Sequence, residues 1–264
     1  MKRIRIVRHR QGEAPRAAMD AVAGEEPLEI RVDTRPIAVV MRTPGRDDEL
    51  ALGFLVSEGL IRRPSEVRDV RPNPRNASGN SIDVLLAPEV TVDFARLTRH
   101  VFASSSCGIC GATSIQSVRR QFPPLSAAPR VSAETLIALP DRLRGSQTEF
   151  SRTGGLHAAG LFDVAGRLLA VREDVGRHNA VDKLLGWGFR EGRLPLQDLG
   201  LLVSGRVSFE IVQKALAGGI ALVAAVSAPS SLAVEFARRN RQTLIGFLRD
   251  GRFNVYSGSL DSPR

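Results

Sequence analysis

A chain of 264 residues, 43% hydrophobic and 25% charged, has the balance of an ordinary globular protein with room for one large or two unequal domains. Its net charge of +9 rests on arginine, since lysine stands only at Lys2, Lys183 and Lys214; codon bias explains much of that excess, but a basic surface also favours anionic ligands and acidic partners. Two cysteines exclude a disulfide framework, the apolar tract IALVAAV is too short to cross a bilayer, the charged start MKRIRIVRHR is no secretory signal, and no basic stripe with interleaved aromatics marks a nucleic-acid binder. The chain is therefore expected to be soluble and cytoplasmic, with no nucleic acid and no membrane among its partners.

In chain order, the first stretch of roughly 25 residues is polar and reads as a loose tail. LEIRVD and PIAVVMR read as strands about a short turn. DDELALGFLVSEGLI reads as a helix, with Asp47 and Asp48 at its start, apolar residues at Leu52, Leu55, Val56 and Leu60, and Gly59 as its stop. The turn-rich RPNPRNASGN leads into a strand, SIDVLLA, over 81–87. Residues 1–98 are expected to form a small α+β domain with a loose N-terminal tail.

The stretch SSSCGICGAT, Ser104 to Thr113, holds both cysteines, Cys107 and Cys110, among serines and glycines that suit an exposed loop. TSIQSVRRQF suggests a short helix, PPLSAAP a linker, and SAETLIALPDRLR a helix capped by Ser132. From Gly155 onward the pattern alternates. GLHAAGLFD and GRLLAVRED read as paired strands about Ala165–Gly166, and GRHNAVDKLLGWGFREG as a helix. LGLLVSGR, VSFEIVQKALAGG, IALVAAVSA and SSLAVEFARRN then alternate strand and helix, and TLIGFLRDG and RFNVYSG close as strands. Fully apolar strands alternating with helices indicate a partly parallel sheet covered by helices.

A lone Cys-x-x-Cys has several readings. A structural zinc needs four ligands, and His157 and His178 lack the usual paired spacing that would complete a site. A zinc deaminase needs H-x-E before P-C-x-x-C; here the nearest match is His157-Ala158-Ala159, which lacks the acid and comes after the cysteines. A thioredoxin-like dithiol opens a helix directly after a strand, and these flanks show no such joint. Two small buried hydrophobes sit poorly among so many serines and glycines. A thiol that carries sulfur between two places fits the loop better.

Three strand-to-helix turns carry the other signals. REDVGRHNAVDK contains His178 just after Gly176, SGRVSFE contains Gly205, Arg206 and Ser208, and SAPSS follows the next strand. In a parallel sheet these turns converge on the edge where open α/β sheets bind ligands, and helix starts there suit phosphates. GFLRDGR reads as a hairpin with a tight Asp-Gly turn, whose flanking arginines suit a phosphate or guanine contact.

Taken together, CGICG, GLHAAGLFD, REDVGRHNAVDKLLG, VSGRVSFEIVQKA, AVSAPSSLAVEFA, GFLRDGRFNVY and the N-terminal ELALGFLVSEGLI resemble the formate dehydrogenase accessory sulfurtransferases of the FdhD/NarQ family, from about Glu25 to Tyr256. The resemblance implies an α/β fold: a cytidine-deaminase-like α/β/α domain with a mixed sheet over 99–264, carrying the cysteine loop and the cofactor site, beside the smaller N-terminal domain. It implies a sulfur carrier that takes persulfide sulfur from a cysteine desulfurase on Cys107, with Cys110 as its partner. The sulfur passes to the molybdenum of bis(molybdopterin guanine dinucleotide), bound as cargo, before insertion into formate dehydrogenase. The cofactor stretch maps to Phe247, Leu248, Arg249, Asp250, Gly251 and Arg252, with Gly205, Arg206, Ser208 and His178 expected beside it. A homodimer with no metal bound directly by the protein is also implied. The competing reading is a chaperone that binds and delivers the cofactor without sulfur chemistry.

Overall fold

Charges at alternate positions hide a strand pattern at the N-terminus. In the structure, a computed structural model that describes residues 1–76, 78–92, 94, 122–125 and 128–260, Lys2–Arg8 (β1) and Arg16–Val22 (β2) pair antiparallel. The expected loose tail is thus a hairpin. Ile4 and Ile6 fall on every second residue between arginines, opposite Asp20 and Ala18, and this is the period of a strand rather than of a tail. Cys107, Cys110 and all but Phe122 of the expected short helix TSIQSVRRQF lie outside the described residues.

Glu26–Val32 (β3) and Arg35–Arg42 (β4) form the next hairpin; with Val67–Pro72 (β5) and Ser81–Leu86 (β6) they make a four-stranded sheet of order β4-β3-β6-β5. Leu28, Ile30 and Val32 alternate into the core and are fully buried. The helix Asp47–Ser57 (α1) follows β4, and the acids of its first turn, Asp47, Asp48 and Glu49, complement the positive end of its dipole.

Ala133–Ser146 (α2) is capped by Ser132 as expected, the Thr135 amide donating to Ser132 Oγ at 3.1 Å. Thr148–Thr153 (α3) follows. His157–Phe162 (β7) and Leu168–Asp174 (β8) pair antiparallel. Then come Arg177–Arg190 (α4), Gly200–Val203 (β9), Phe209–Ala217 (α5), Leu222–Ala225 (β10), Ser231–Arg239 (α6), Thr243–Arg249 (β11) and Arg252–Ser257 (β12). The sheet order is β12-β11-β10-β9-β7-β8, with β9, β10 and β11 parallel and the remaining pairings antiparallel. This is the mixed sheet expected.

Alternation along the short strands produces three layers. Leu201, Val203, Val223 and Ala225 face the core that α1, α4, α5 and α6 cover, while Leu202, Leu222, Ala224 and Ile245 face Leu136, Leu139 and Leu143 of α2. The larger core is continuous from Leu28 to Leu244, so the N-terminal sheet and the six-stranded sheet share it.

The join is a backbone contact. Helices α1 and α4 cross where neither carries a side chain. A Cβ on Gly53 would stand 1.7 Å from the Asp182 carbonyl oxygen, and one on Gly186 would stand 1.8 Å from that of Glu49. Alanine ordinarily stabilises an exposed helix interior over glycine by about 1 kcal/mol. Here the obstacle is backbone, which cannot swing aside, so overpacking decides the sign. Gly53→Ala and Gly186→Ala are each expected to destabilise the fold by about 3 kcal/mol or more. Urea unfolding midpoints check this, and a midpoint unchanged or raised would show that the helices do not meet at these glycines.

Candidate functional site

Strand direction gathers the site. β8 and β9 are each antiparallel to β7, so β8, β9, β10 and β11 all direct their carboxyl ends to one edge of the sheet. β7 runs the other way and begins there with His157. The three strand-to-helix turns therefore converge as the sequence implied, joined by the hairpin end of β11.

Backbone hydrogen bonds tie these turns together. Val207 N donates to Ala228 O at 3.1 Å, Ser230 N to Val207 O at 2.9 Å, and Phe247 N to Ser227 O at 3.1 Å. Ser204 and Ala158 are linked twice, Ser204 N to Ala158 O and Ala158 N to Ser204 Oγ, each at 2.9 Å. Gly205 lies against the neighbouring His157 ring, where a Cβ would come within 3.2 Å of Nδ1.

The helix starts differ. Ser230 caps α6 by accepting from Ala233 N at 3.2 Å. Gly176 and Ser208, at the starts of α4 and α5, make no side-chain cap. The first-turn amides of those two helices, at the positive ends of their dipoles, are not claimed by a capping side chain. Arg177 and Arg206 flank them, and Arg177 Nε is buried without an acceptor among the described residues. The edge is a cradle for negative charge.

Ser208 has another use. His178 Nε2 lies 2.7 Å from Glu210 Oε2 and 3.1 Å from Ser208 Oγ. Burial pushes the Glu210 carboxyl up, but the hydrogen bond from His178 and the charges of His178, Lys214 and Arg177 outweigh it and hold it below the ordinary carboxylate range. Glu210 is thus an anion at neutral pH, so His178 Nε2 must carry a hydrogen toward it. Nδ1 is the ring nitrogen left for a ligand. The half-buried His157 is shifted downward. Burial lowers its pKa first, and Arg177, His178 and Arg206 lower it further, with Asp174 opposing only in part. One edge therefore offers a neutral imidazole beside one joined to a carboxylate.

A buried ionic layer supports these groups. Asp174 is fully buried, 2.7 Å from Lys183 Nζ, and accepts from Thr43 N at 3.1 Å, Gly176 N at 2.8 Å and Asn179 Nδ2 at 2.9 Å. Lys214 Nζ, behind Glu210, donates to Asp182 at 2.8 Å and to Ser57 Oγ at 3.0 Å. Burial pushes up both the Asp182 and the Glu58 carboxyls, with Lys214 opposing. Sequence reasoning passed over Glu210, Asp174 and Lys214. An acid at a helix start reads as a dipole partner, and only the three-dimensional fold shows that Glu210 meets His178.

The Phe247–Arg252 stretch divides between core and edge. Leu248 is fully buried against α2, whereas Arg249, Asp250, Gly251 and Arg252 are exposed. Asp250 and Gly251 have φ of 54° and 71°, the left-handed pair of a tight hairpin turn. Phe247 also has a positive φ, 53°, where the register with β12 slips, and the Arg249 guanidinium lies 5.7 Å from its ring centre. Both flanks of the cysteine segment attach away from this edge. Phe94 stacks under Arg35, at the end of β4 remote from Thr43, and Leu125 N bonds Asn240 O beyond the C-terminus of α6. No group of three potential metal ligands occurs among the described residues.

An α/β/α protein with an anion-seeking sheet edge is the class that fold and site define. The FdhD/NarQ family model matches residues 23–261. A sulfur carrier protein FdhD from Mycobacterium tuberculosis is 49% identical over 263 residues, spanning 96% of this chain and 95% of its own length. A sulfur carrier protein FdhD from Streptomyces avermitilis is 48% identical over 269 residues, spanning 97% and 94%. A solved formate dehydrogenase accessory protein from Desulfotalea psychrophila superposes with a TM-score of 0.77 at 26% identity, covering 97% of this chain and 96% of that one. The chain belongs to the FdhD/NarQ family.

Two predictions follow from the charges. Lys214→Met strands Asp182 without its cation and is expected to cost about 3–5 kcal/mol in urea unfolding at pH 7; a loss below 1 kcal/mol would show that Lys214 is not the buried counter-ion. His157 stays neutral in the fold below the 6.5 of a free histidine, while the unfolded chain takes up a proton there. Stability from this group is complete above pH 6.5 and declines as the pH falls below it. His157→Gln is expected to flatten the unfolding free energy between pH 6.5 and 5, and an unchanged slope would contradict the shift.

Proposed function

We propose that the chain is a sulfur carrier needed for formate dehydrogenase activity, and that the edge of the six-stranded sheet binds the guanine dinucleotide phosphates of bis(molybdopterin guanine dinucleotide). The observation that carries this reading is the pair of helix starts without side-chain caps, flanked by Arg177 and Arg206, in a chain whose relatives are named sulfur carrier proteins. Phosphate oxygens accept from the amides of α4 and α5, from Ser208 Oγ and from the arginines, with His178 beside them. Buried Leu248 anchors the hairpin so that Arg249 and Arg252 stand at the edge for the cargo.

The sulfur step belongs to the cysteines. The Cys107 thiolate attacks the terminal sulfur of a persulfide on a cysteine desulfurase; the old S–S bond breaks, the desulfurase leaves as a thiolate, and Cys107 holds the persulfide. Cys110 can then attack Cys107 Sγ and displace the outer sulfur as hydrosulfide for the molybdenum. The resulting disulfide is reduced by a cellular dithiol. The protein acts in the cytoplasm as a homodimer, and the metal is cargo rather than a resident ligand.

A delivery role without sulfur chemistry has one observation in its favour: the anion edge is assembled from residues other than the cysteines. The two readings separate cleanly. Under sulfur transfer, incubation with a desulfurase and free cysteine makes the Cys107 peptide one sulfur heavier, and Cys107→Ala abolishes formate dehydrogenase maturation while GDP binding persists. Arg206→Ala weakens GDP binding by about tenfold. Full maturation with both cysteines replaced would leave only the delivery role, and unimpaired GDP binding by Arg206→Ala would remove this edge as the nucleotide site.

A further inference from the structure

His157 stands at the sheet edge without a task. It begins β7 among cations, with Arg177, His178 and Arg206 around it, and its ring is half-buried. Neither ring nitrogen has a hydrogen-bond partner among the described residues. A histidine that serves only the fold ordinarily spends a ring nitrogen on a neighbour, because a polar atom taken partly out of water and left bare costs free energy.

The space beside this ring is kept open. A Cβ on Gly205 would stand 3.2 Å from His157 Nδ1, 3.4 Å from Cε1 and 3.9 Å from Arg177 Cδ. The missing side chain leaves a small cradle bounded by the imidazole and the Arg177 stem. Gly205 is not among the glycines with positive φ, so its backbone conformation does not call for glycine. Close approach by another molecule is the other ordinary reason for one. The two hydrogen bonds between Ser204 and Ala158 hold this turn against the start of β7, so ring and cradle keep their places before anything binds.

The ring also differs chemically from its surroundings. The arginines and helix amides suit phosphate oxygens, whereas His157 is held uncharged by burial and by those same cations. An uncharged imidazole has one N–H and one lone pair, and cations favour the tautomer that turns the lone pair toward them. Nδ1 then asks for a donor. Ionised phosphates have none; the ribose hydroxyls and guanine N–H groups of a nucleotide do.

We infer that His157 sets the specificity of this edge: its Nδ1, beside the cradle at Gly205, accepts a hydrogen bond from a hydroxyl or N–H of the cargo's nucleoside, while the arginines and helix starts take the phosphates. This rests on the reading of the edge as the nucleotide site and adds what the edge recognises beyond charge.

The test is calorimetric titration of the full-length protein with GDP and with inorganic pyrophosphate at pH 7.5. The native chain is expected to bind GDP more tightly than pyrophosphate. His157→Phe keeps a ring and removes both nitrogens, and Gly205→Ala fills the cradle and leaves the imidazole intact. Each is expected to weaken GDP by about three- to tenfold, the worth of one hydrogen bond, and to leave pyrophosphate within about twofold. Gly205→Ala gives the answer should His157→Phe fail to fold. Two analogues locate the donor: 2′,3′-dideoxy-GDP lacks the ribose hydroxyls, and ADP lacks the guanine N–H groups. The analogue without the contacted group is expected to bind the native chain and His157→Phe equally. The imidazole ¹⁵N resonances of His157 in the GDP complex are expected to show one protonated nitrogen. Equal losses for GDP and pyrophosphate, unchanged GDP affinity in the folded variants, a His157 effect that persists with both analogues, or a doubly protonated ring each overturn the role of His157. A native chain that binds neither GDP nor pyrophosphate overturns instead the edge as the nucleotide site.

Discussion

The interaction on which the rest depends is the carboxylate of Asp174. It is wholly removed from solvent and engages Lys183, the Thr43 and Gly176 amides and the Asn179 side chain together. One of these partners directly follows β4, one opens the turn after β8, and two belong to α4. A single charge thus fixes the turn that carries Gly176 and His178 and docks the first half of the chain on the second. A buried ion that meets nearly every lone pair it offers costs least where it stands, and losing any one partner leaves charge exposed to the apolar core. The start of α4 is therefore rigid before any ligand arrives.

The same economy separates the two histidines. His178 lies against Glu210, whose own charge is sustained by Lys214, while His157 is surrounded by cations and partly desolvated. Neither ring is special in sequence. What sets them apart is the sign of the nearest neighbours, which come from β7, β8, α4, the β9–α5 turn and α5 together. The edge thus presents an uncharged ring, His157, beside a ring joined to a carboxylate, His178.

Much of this was legible in the residues. LGLLV and IALVAAV could only be interior strands, Ser132 announced its helix, and the turns SGRVS and SAPSS shared a design that strand direction then brought to one edge. The expectation failed where charge obscured periodicity. In β1 the charged residues around Ile4 and Ile6 mimic a tail, and in β5 only Val67 and Val70 interrupt a polar run whose pairing with β6 decides the matter. Leu248, part of the stretch expected at the cofactor site, has its side chain fully buried against α2. Glu210 was hidden because its partner lies thirty-two residues away in sequence (His178 to Glu210) and next to it in space.

The side-chain-free crossing of α1 over α4 has a consequence for how this architecture can be divided or recombined. Two helices whose backbones touch have no interchangeable surface between them; each is shaped to one partner. A C-terminal half expressed alone would present to water a glycine-floored groove and the lysine and aspartate that the N-terminal half now covers. The two sheets are therefore inherited as one object. Gene fusions, circular permutations and chimaeras between relatives should be cut at the exposed connections around the sheets, and never between these two helices.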